Sequence, residues 1–288
     1  MAENSRAMDG RVCVITGATS GIGRAAAEQL ASLGARLVIV ARDPARGAAA
    51  RDEIVTATGN REVALEIADL ASQRQVRELA ARLLAAEPEI HVLVNNAGLA
   101  LGERRLTEDG LEETFAVNHL APFLLTNLLL DRLRGSSPAR VVTVASAAHR
   151  GAAIPFDDLN GERGFSGWIA YGWTKLANIL FTAELARRLA GSGVTATCLH
   201  PGVVATGFGR EGPFLVREFQ RLLGRVLLLD PKQGADTLVW LASSAEVAGA
   251  SGGYYARRRL ATPSRAARDA AAARRLWEVS ARLTGLSG

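Results

Sequence analysis

The stretch Thr16-Gly17-Ala18-Thr19-Ser20-Gly21-Ile22-Gly23 decides the fold. It follows an apolar run over 12–16 that predicts a β-strand, and it leads into an alanine-rich segment over 23–33 that predicts a helix. Glycines let the backbone turn sharply and approach a pyrophosphate, and a helix N-terminus supplies free N–H groups and a positive dipole end. This order of elements favours a phosphate-binding loop over an ordinary turn. Its candidate contacts are Gly17, Ser20, Gly21, Ile22 and Gly23.

The alternation of short apolar runs and longer helical segments continues along the chain. Further strands are predicted at 36–41, 62–67, 91–94, 140–145, 194–199 and 253–255. Further helices are predicted at 44–58, 72–86, 107–133, 168–190, 231–242 and 263–283, the last closed by Gly285. Such alternation is typical of a parallel sheet covered by helices on both faces. The prediction is a single doubly wound α/β domain of about seven parallel strands, with its ligand beyond the strand carboxyl ends.

No repeat, low-complexity tract or linker divides the 288 residues. We predict a flexible N-terminus over 1–10, a catalytic domain over 11–256 and a helical C-terminal extension over 257–288. The segment 207–229 breaks the alternation, with apolar side chains among arginines and glycines. It is either an ordinary amphipathic helix or a lid over an apolar substrate. We assign it as a lid because it directly follows a candidate cofactor motif.

Composition excludes several classes of protein. A chain that is 48% hydrophobic and 22% charged is not wholly disordered. Its net charge of +5 is spread over scattered arginines, whereas nucleic-acid binders gather such charge into a stripe, so no nucleic-acid partner is predicted. The polar N-terminus lacks a signal peptide, and no apolar run reaches the roughly 18 residues of a membrane span. The two cysteines lie in predicted strands, which predicts a cytoplasmic protein without disulfides. No His/Cys cluster has metal-ligand spacing, so no metal is predicted.

The second predicted strand ends at Ala41-Arg42-Asp43, about 20 residues past the last loop glycine, where the adenosine ribose of a dinucleotide is read. The guanidinium of Arg42 suits a 2′-phosphate, which favours NADP(H) over NAD(H). Two alternatives stay open. Asp43 could pair with Arg42 or face a ribose hydroxyl, and Arg42 could be an ordinary exposed loop residue.

A second group of polar residues predicts chemistry. Asn118, Ser146, Tyr171 and Lys175 follow one another along the chain, with the tyrosine and lysine four residues apart on one helix face. A tyrosine titrates near 10, and a neighbouring ammonium lowers that pKa. A serine hydroxyl beside the phenol can hold a carbonyl or alcohol oxygen. The group therefore predicts proton transfer at oxygen while hydride moves at the adjacent carbon.

Together these motifs resemble the short-chain dehydrogenase/reductase family. The resemblance covers about residues 10–256 and rests on 16–23, Asp69-Leu70, Asn95-Asn96-Ala97-Gly98, Asn118, Ser146, Tyr171, Lys175 and 201–206. Within the family the chain is most similar to the retinol-dehydrogenase-like reductases. That likeness rests on Ala41-Arg42-Asp43, Asp157-Asp158-Leu159, Lys175-Leu176-Ala177-Asn178, His200-Pro201-Gly202 and Leu276-Trp277-Glu278. The resemblance implies a Rossmann-type fold.

The resemblance also implies residue roles. Tyr171 would be the general acid/base and Ser146 would position the reacting oxygen. Lys175 would lower the pKa of the tyrosine and hold the nicotinamide ribose, and Asn118 would seat a water of a proton relay. The remaining implied cofactor contacts are Asp69, Leu70, Asn96, Ala97, Gly98, Pro201, Gly202, Val203 and Thr206. His149 and His200 lie near these motifs and are interpreted as packed or capping histidines.

The function predicted is an NADP(H)-dependent oxidoreductase that interconverts a lipophilic ketone or aldehyde with its alcohol. The alternative is a regulatory protein on the same fold that binds NADP(H) without turnover. The complete Ser/Tyr/Lys set favours the enzyme. The oligomeric state stays open between a monomer, a homodimer and a homotetramer.

Overall fold

The computed structural model describes residues 6–202 and 230–286. One sheet runs through them in the order β3-β2-β1-β4-β5-β6-β7-β8. The strands are β1 Val12–Thr16, β2 Arg36–Ala41, β3 Val63–Ile67, β4 Val92–Asn95, β5 Ala139–Val144, β6 Val194–Leu199, β7 Tyr254–Ala256 and β8 Arg259–Leu260. All pairings are parallel except that of β8 with β7. The predicted single doubly wound α/β domain is confirmed.

The strand count differs slightly from the prediction of about seven. The additional strand, β8, is two residues long and exposed, so no apolar run announces it. It follows a tight turn in which Arg257 and Arg258 have positive φ angles of 51° and 55°. Such turns usually contain glycine or asparagine, which this sequence lacks at these positions.

Helices cover both faces of the sheet. They are α1 Gly21–Ser32, α2 Pro44–Thr58, α3 Gln73–Ala86, α4 Glu113–Phe115, α5 Ala121–Leu128, α6 Leu130–Gly135, α7 Gly167–Arg188, α8 Pro231–Ser243 and α9 Ala270–Leu283. Side chains of β1 alternate between two cores, with Cys13 and Ile15 packed toward α1 and α8 and Val14 packed toward α3 and α5. Both cysteines are buried free thiols.

The predicted helix over 107–133 is interrupted in the structure. Residues 107–111 form a turn in which the Thr107 amide donates to the Leu111 carbonyl. The Glu112 carboxylate then caps α4 by accepting from the amides of Thr114 and Phe115. A π-helical turn, Ala116–Leu120, joins α4 to α5, and it places Asn118 and His119 fully inside the protein. Single π-turns of this kind are frequent at functional sites.

Residues 6–10 and the C-terminal helix α9 both pack against the rest of the domain. Residues 6–10, assigned from the sequence to a flexible terminus, form turns, and the Met8 side chain is buried against the core beside α1. At the other end, α9 packs on α7. The predicted lid at 207–229 lies outside the described residues.

Candidate active site

The glycines of the loop after β1 are required by the space around them. Gly17 and Gly21 have φ angles of +70° and +57°. A Cβ on Gly17 would lie 2.8 Å from the Ala97 Cα, and one on Gly23 would lie 2.3 Å from the Gly17 carbonyl oxygen. Any side chain at these positions would therefore push the loop apart.

Thr16 and Asn96 tie this loop to the end of β4. The Thr16 hydroxyl oxygen accepts from the amides of Asn96 and Ala97, both at 3.1 Å. The Asn96 Nδ2 donates to the carbonyls of Thr16 and Gly17 at 2.8 and 3.1 Å. Because the Asn96 Nδ2 and the backbone amides of Asn96 and Ala97 are used in this way, the carbonyl groups of 96–98 are left to face a cofactor. The sequence alone does not indicate this bridging role of Thr16.

Within residues 6–202 and 230–286, the N-terminus of α1 has no side-chain cap, unlike those of α2 and α3. Ser20 makes no side-chain hydrogen bond to the first amides of α1. Asp43 and Ser72, by contrast, cap α2 and α3 through their side chains. Unbonded amides at the positive end of a helix dipole suit a phosphate group.

Arg42 and Asp43 follow β2, and the structure separates their roles. The Asp43 carboxylate accepts from the Arg46 amide at 2.9 Å and so caps α2. Asp43 therefore does not pair with Arg42. Arg42 is exposed, and within residues 6–202 and 230–286 its side chain makes no hydrogen bond or ion pair. Its guanidinium is free for a ligand at the end of β2.

Asp69 and Leu70 follow β3 and are half-buried. The Asp69 carboxylate accepts from the Ala71 amide at 2.9 Å, and the Asp69 amide donates to the Gln75 side chain at the same distance. These bonds fix the conformation of the loop after β3. The loop lies beside the loops after β1 and β2, because parallel strands end at one edge of the sheet.

Ser146, Tyr171 and Lys175 lie together at this same edge. Ser146 follows β5, and its Oγ accepts from the Ala148 amide at 3.2 Å. Its hydroxyl also forms a hydrogen bond with the Tyr171 phenol, which α7 presents. The Lys175 Nζ lies 5.6 Å from the centroid of the Tyr171 ring. The predicted trio is thus brought together.

Burial shifts the pKa values of the tyrosine and the lysine of this trio. Burial raises the pKa of Tyr171 to about 12, and the Ser146 hydrogen bond opposes that rise. Burial also lowers the pKa of Lys175 to about 8. The lowering of the Tyr171 pKa by Lys175 stays a prediction. The ammonium lies against the ring and donates to the Val144 carbonyl at 3.1 Å, so desolvation dominates.

Asn118 is buried, not exposed on a helix surface. Its Oδ1 accepts from the Leu99 amide at 2.8 Å. Its Nδ2 donates to the Leu99 carbonyl at 2.9 Å and to the Thr174 hydroxyl at 3.1 Å. The side chain therefore clamps the loop after β4 to α7. A Cβ on Gly98 would lie 3.2 Å from both the Asn118 Oδ1 and the Lys175 Nζ, so Gly98 keeps this space open.

Pro201 and Gly202 follow β6 at the same edge. Gly202 has a φ of +88°, and its amide donates to the His200 Nδ1 at 3.2 Å. Val203 and Thr206, the two remaining predicted contacts, lie outside the described residues. The rings of His149 and His200 both pack against Tyr254, at 5.2 and 5.7 Å between centroids.

Sequence reasoning missed several polar residues that build the site. Thr174 accepts from Asn118 and donates to the Tyr171 carbonyl at 2.8 Å. Asn178 donates to the Val144 carbonyl at 3.3 Å, which also receives Lys175. A signal was present, since Thr174 and Asn178 are polar residues in a largely apolar, buried stretch of α7 on either side of Lys175.

The described residues hold neither a metal site nor a membrane-spanning helix. No group of three or more His, Cys, Asp or Glu side chains there could hold a metal ion. None of the helices described is both long and apolar enough to cross a bilayer.

Residues 11–212 match the model of the short chain dehydrogenase family. The chain belongs to this family. Among curated short-chain dehydrogenases, it is 44% identical to Retinol dehydrogenase 14 of Homo sapiens, over 97% of this chain and 88% of that protein. It is 42% identical to Retinol dehydrogenase 11 of Homo sapiens, over 97% and 87%. The predicted likeness to the retinol-dehydrogenase-like members is confirmed.

Solved structures agree with this assignment. A putative uncharacterized protein from Mycobacterium paratuberculosis superposes with a TM-score of 0.79 at 35% identity, covering 97% of this chain and 95% of that one. A short chain dehydrogenase from Burkholderia cenocepacia, solved in complex with NADP, gives a TM-score of 0.69 at 26% identity, covering 86% and 96%. The chain is an oxidoreductase of the short-chain dehydrogenase family.

Proposed function

We propose that the protein is an NADP(H)-dependent oxidoreductase that interconverts a lipophilic ketone or aldehyde with its alcohol. The observation that carries the proposal is the hydrogen bond between Ser146 and the Tyr171 phenol, with the Lys175 ammonium buried against the same ring. This trio lies at the sheet edge that also holds the glycine loop after β1. Proton transfer and hydride transfer would therefore take place at the same edge of the sheet.

The described residues include groups suited to each part of a bound dinucleotide. A bound nicotinamide cofactor supplies or accepts the hydride. The glycine loop and the open amides of α1 would hold its pyrophosphate, and Arg42 would hold a 2′-phosphate. Asp69 and Leu70 would face the adenine, and the backbone of 96–98 would line the middle. Lys175, Pro201 and Gly202 would contact the nicotinamide end, together with Val203 and Thr206 outside the described residues.

The titration of Tyr171 suits carbonyl reduction. A pKa of about 12 keeps the phenol protonated at neutral pH. The carbonyl carbon gains hydride, the carbonyl oxygen takes the Tyr171 proton, and the phenol becomes a phenolate. Ser146 donates its hydroxyl proton in a hydrogen bond to the same oxygen. In alcohol oxidation these steps reverse: the Tyr171 phenolate takes the proton of the alcohol, the alcohol carbon gives up hydride, and Ser146 keeps its hydrogen bond to the substrate oxygen.

Asn118 is proposed to seat the water that returns a proton to the phenolate. Both Nδ2 protons are already donated, to the Leu99 carbonyl and the Thr174 hydroxyl. Contact with a relay water therefore falls to the backbone of the π-turn Ala116–Leu120. The side chain keeps that backbone in place.

Two observations support a lipophilic substrate. Trp168 and Ile169, at the start of α7, are 53% and 65% exposed, and the Trp168 ring lies 6.1 Å from that of Tyr171. Apolar surface beside the proposed proton donor suits an apolar carbonyl compound. In addition, the curated relatives carry the name retinol dehydrogenase. The segment 207–229 is proposed to complete this surface as a lid.

The test is NADPH oxidation with a panel of lipophilic aldehydes and ketones. Tyr171→Phe should lower kcat by about 10²- to 10⁴-fold, the range for loss of a general acid. The matched control is Tyr255→Phe, which removes the hydroxyl of another buried tyrosine on β7. Equal turnover by wild type and Tyr171→Phe contradicts the assignment. Tight NADPH binding with no turnover of any carbonyl supports the regulatory alternative instead.

Location and assembly belong to the same proposal. We infer a cytoplasmic enzyme, which cell fractionation tests. Gel filtration with light scattering distinguishes a monomer from a homodimer or homotetramer.

A further inference from the structure

The C-terminal extension is in contact with the catalytic helix, although the proposed chemistry does not use it. On α9, the Trp277 ring lies 4.9 Å from that of Phe123 and 5.9 Å from that of Phe181. The Arg188 guanidinium covers the same indole at 4.3 Å. Apolar packing of this kind explains docking. It does not explain two buried histidines that connect the extension to the catalytic motifs.

The first is His149, three residues after Ser146. It is 0% exposed, its Nδ1 lies 2.7 Å from the Ser146 carbonyl oxygen, and its Nε2 lies 3.1 Å from the Ser264 amide. An amide nitrogen only donates, so Nε2 must be unprotonated. The proton is then on Nδ1, which donates to the carbonyl of the catalytic serine. His149 thus links the extension to Ser146 through a neutral ring of fixed tautomer.

The second is His119, the neighbour of Asn118 in the π-turn. It is also 0% exposed, with Nε2 2.9 Å from the Ser280 hydroxyl of α9 and Nδ1 3.4 Å from the Asn178 Oδ1. Asn178 turns its Nδ2 to the Val144 carbonyl at 3.3 Å, so its Oδ1 accepts from His119. Nδ1 again carries the proton, and Nε2 accepts from Ser280.

This second chain of hydrogen bonds ends at Lys175. The Val144 carbonyl that receives Asn178 also receives the Lys175 Nζ at 3.1 Å. Both histidine rings are therefore oriented alike. In each, Nδ1–H points toward residues 144–146, directly for His149 and through Asn178 for His119, and Nε2 accepts from a serine of the extension. Burial lowers the pKa of each ring and keeps it neutral.

We propose that His149 and His119 are positioning residues through which the C-terminal extension holds Ser146 and Lys175 in their working places. The proposal rests on the proposed function, since it assigns the two histidines a part in that reaction. The competing interpretation is that both histidines only stabilise the fold. The two interpretations differ in whether replacing one of these histidines changes the surroundings of the Tyr171 phenol.

The tautomers are tested by NMR of protein with ¹⁵N-labelled histidine, without any substrate. The chain has four histidines, and the structure divides them into two classes. His119 and His149 should carry Nδ1–H, whereas the Nδ1 of His91 and His200 accepts from the Val12 and Gly202 amides. Each histidine signal is assigned by its loss in the variant that lacks that histidine. An Nε2–H tautomer at His149 or His119 would overturn the proposal.

The positioning role is tested with His149→Phe and His119→Phe, which keep a ring but lose both hydrogen bonds. Each should lower kcat by about 10- to 100-fold, as expected for a catalytic group displaced by up to about 1 Å, with KM for NADPH changed less than about twofold. His149→Asn should recover most of the loss, because its Nδ2 can donate to the Ser146 carbonyl. Ser280→Ala should reproduce part of the His119→Phe effect.

His91→Phe is the matched control. His91 is another buried histidine, but it precedes β4 at the opposite edge of the sheet. Its loss should lower the melting temperature without lowering kcat more than about twofold, the scatter of a remote site. If His91→Phe and His149→Phe reduce kcat equally at similar melting temperatures, the two histidines are merely structural.

A readout independent of turnover separates this proposal from the function itself. The chain has three tyrosines, so ¹³Cζ-tyrosine signals are assigned by single Tyr→Phe variants. The Tyr171 signal should move in His149→Phe and stay in His91→Phe, because only the former releases Ser146 from its carbonyl bond. An unmoved Tyr171 signal overturns the positioning role, whether or not the wild type reduces a carbonyl.

Discussion

Replacing Lys175 by methionine should stabilise the folded chain while it stops the reaction. Lys175 is 3% exposed, and its Nζ donates a hydrogen bond to the neutral Val144 carbonyl at 3.1 Å. No carboxylate pairs with it among residues 6–202 and 230–286. A buried, unpaired ammonium is disfavoured in the folded state, which is why its pKa falls from 10.5 to about 8.

The magnitude follows from that change in pKa. At neutral pH it corresponds to about 3 kcal/mol of unfolding free energy, at 1.36 kcal/mol per pKa unit. Methionine keeps most of the volume of the side chain but loses the Nζ hydrogen bond, which offsets about 1 kcal/mol. Asn178 still donates to the Val144 carbonyl, so that oxygen keeps a partner. The expected gain is about 2 kcal/mol at pH 7.

The sign of the pH dependence makes this prediction specific to ionisation. Below pH 8 the lysine is charged in both states, and the full penalty is present. Between about pH 8 and 10.5 the unfolded chain binds more protons than the folded one, so the stability of the wild type rises with pH. Urea unfolding of wild type and Lys175→Met at a series of pH values should show the variant's advantage shrinking over this interval.

Lys232→Met is the control, because Lys232 is exposed and is the only other lysine of the chain. It should change the unfolding free energy by less than about 0.5 kcal/mol at every pH. If Lys175→Met is less stable than wild type at pH 7, or if its advantage is the same at pH 7 and pH 10, burial of the charge does not explain the pKa.

Three further predictions concern the cofactor loop, cofactor choice and a buried ring. Gly23→Ala should abolish NADPH binding in a fluorescence titration and lower the melting temperature, because its Cβ would lie 2.3 Å from the Gly17 carbonyl oxygen; binding at wild-type affinity would contradict the close approach. Arg42→Ala should raise KM for NADPH by about 10- to 100-fold, the value of a charge-assisted hydrogen bond, and leave KM for NADH nearly unchanged. Arg61→Ala, another exposed arginine, is its control, and an unaltered NADPH/NADH preference argues against the role of Arg42. Burial lowers the pKa of His119 to about 4, so the wild type should lose up to about 3 kcal/mol of stability between pH 6.5 and 4 as the unfolded chain takes up the proton. His119→Phe should lack this part of the slope in urea unfolding, and equal slopes would show that His119 does not cause it.

The architecture could be predicted because it is encoded locally. The apolar run before Thr16 and the glycines after it establish a strand, a tight loop and a helix within about 20 residues. The positions of Tyr171 and Lys175 on one helix face follow from the period of the α-helix alone. Such features need no knowledge of the rest of the chain.

The electrostatics of the site could not be predicted in this way. The tyrosine and lysine are the expected distance apart along the helix, yet burial raises the pKa of Tyr171, and nothing in the sequence measures that burial. The outcome depends on how much water the surrounding elements exclude and on where the ammonium points. Likewise, the role of Asp43 depends on where α2 begins: because the helix starts at Pro44, the carboxylate caps it.

The partners of the buried polar groups explain why a sequence motif identifies only some of the residues that build an active site. Asn118 bonds to Leu99 and Thr174, which are 19 and 56 positions away. His149 bonds to Ser264, which is 115 positions away in the sequence, and His119 bonds to Ser280, which is 161 positions away. A buried polar group without its partner is destabilising, so each of these distant residues is as necessary to the geometry as the residue it contacts. Substitutions in the C-terminal extension should therefore alter catalysis, although no part of the family's catalytic motif lies there.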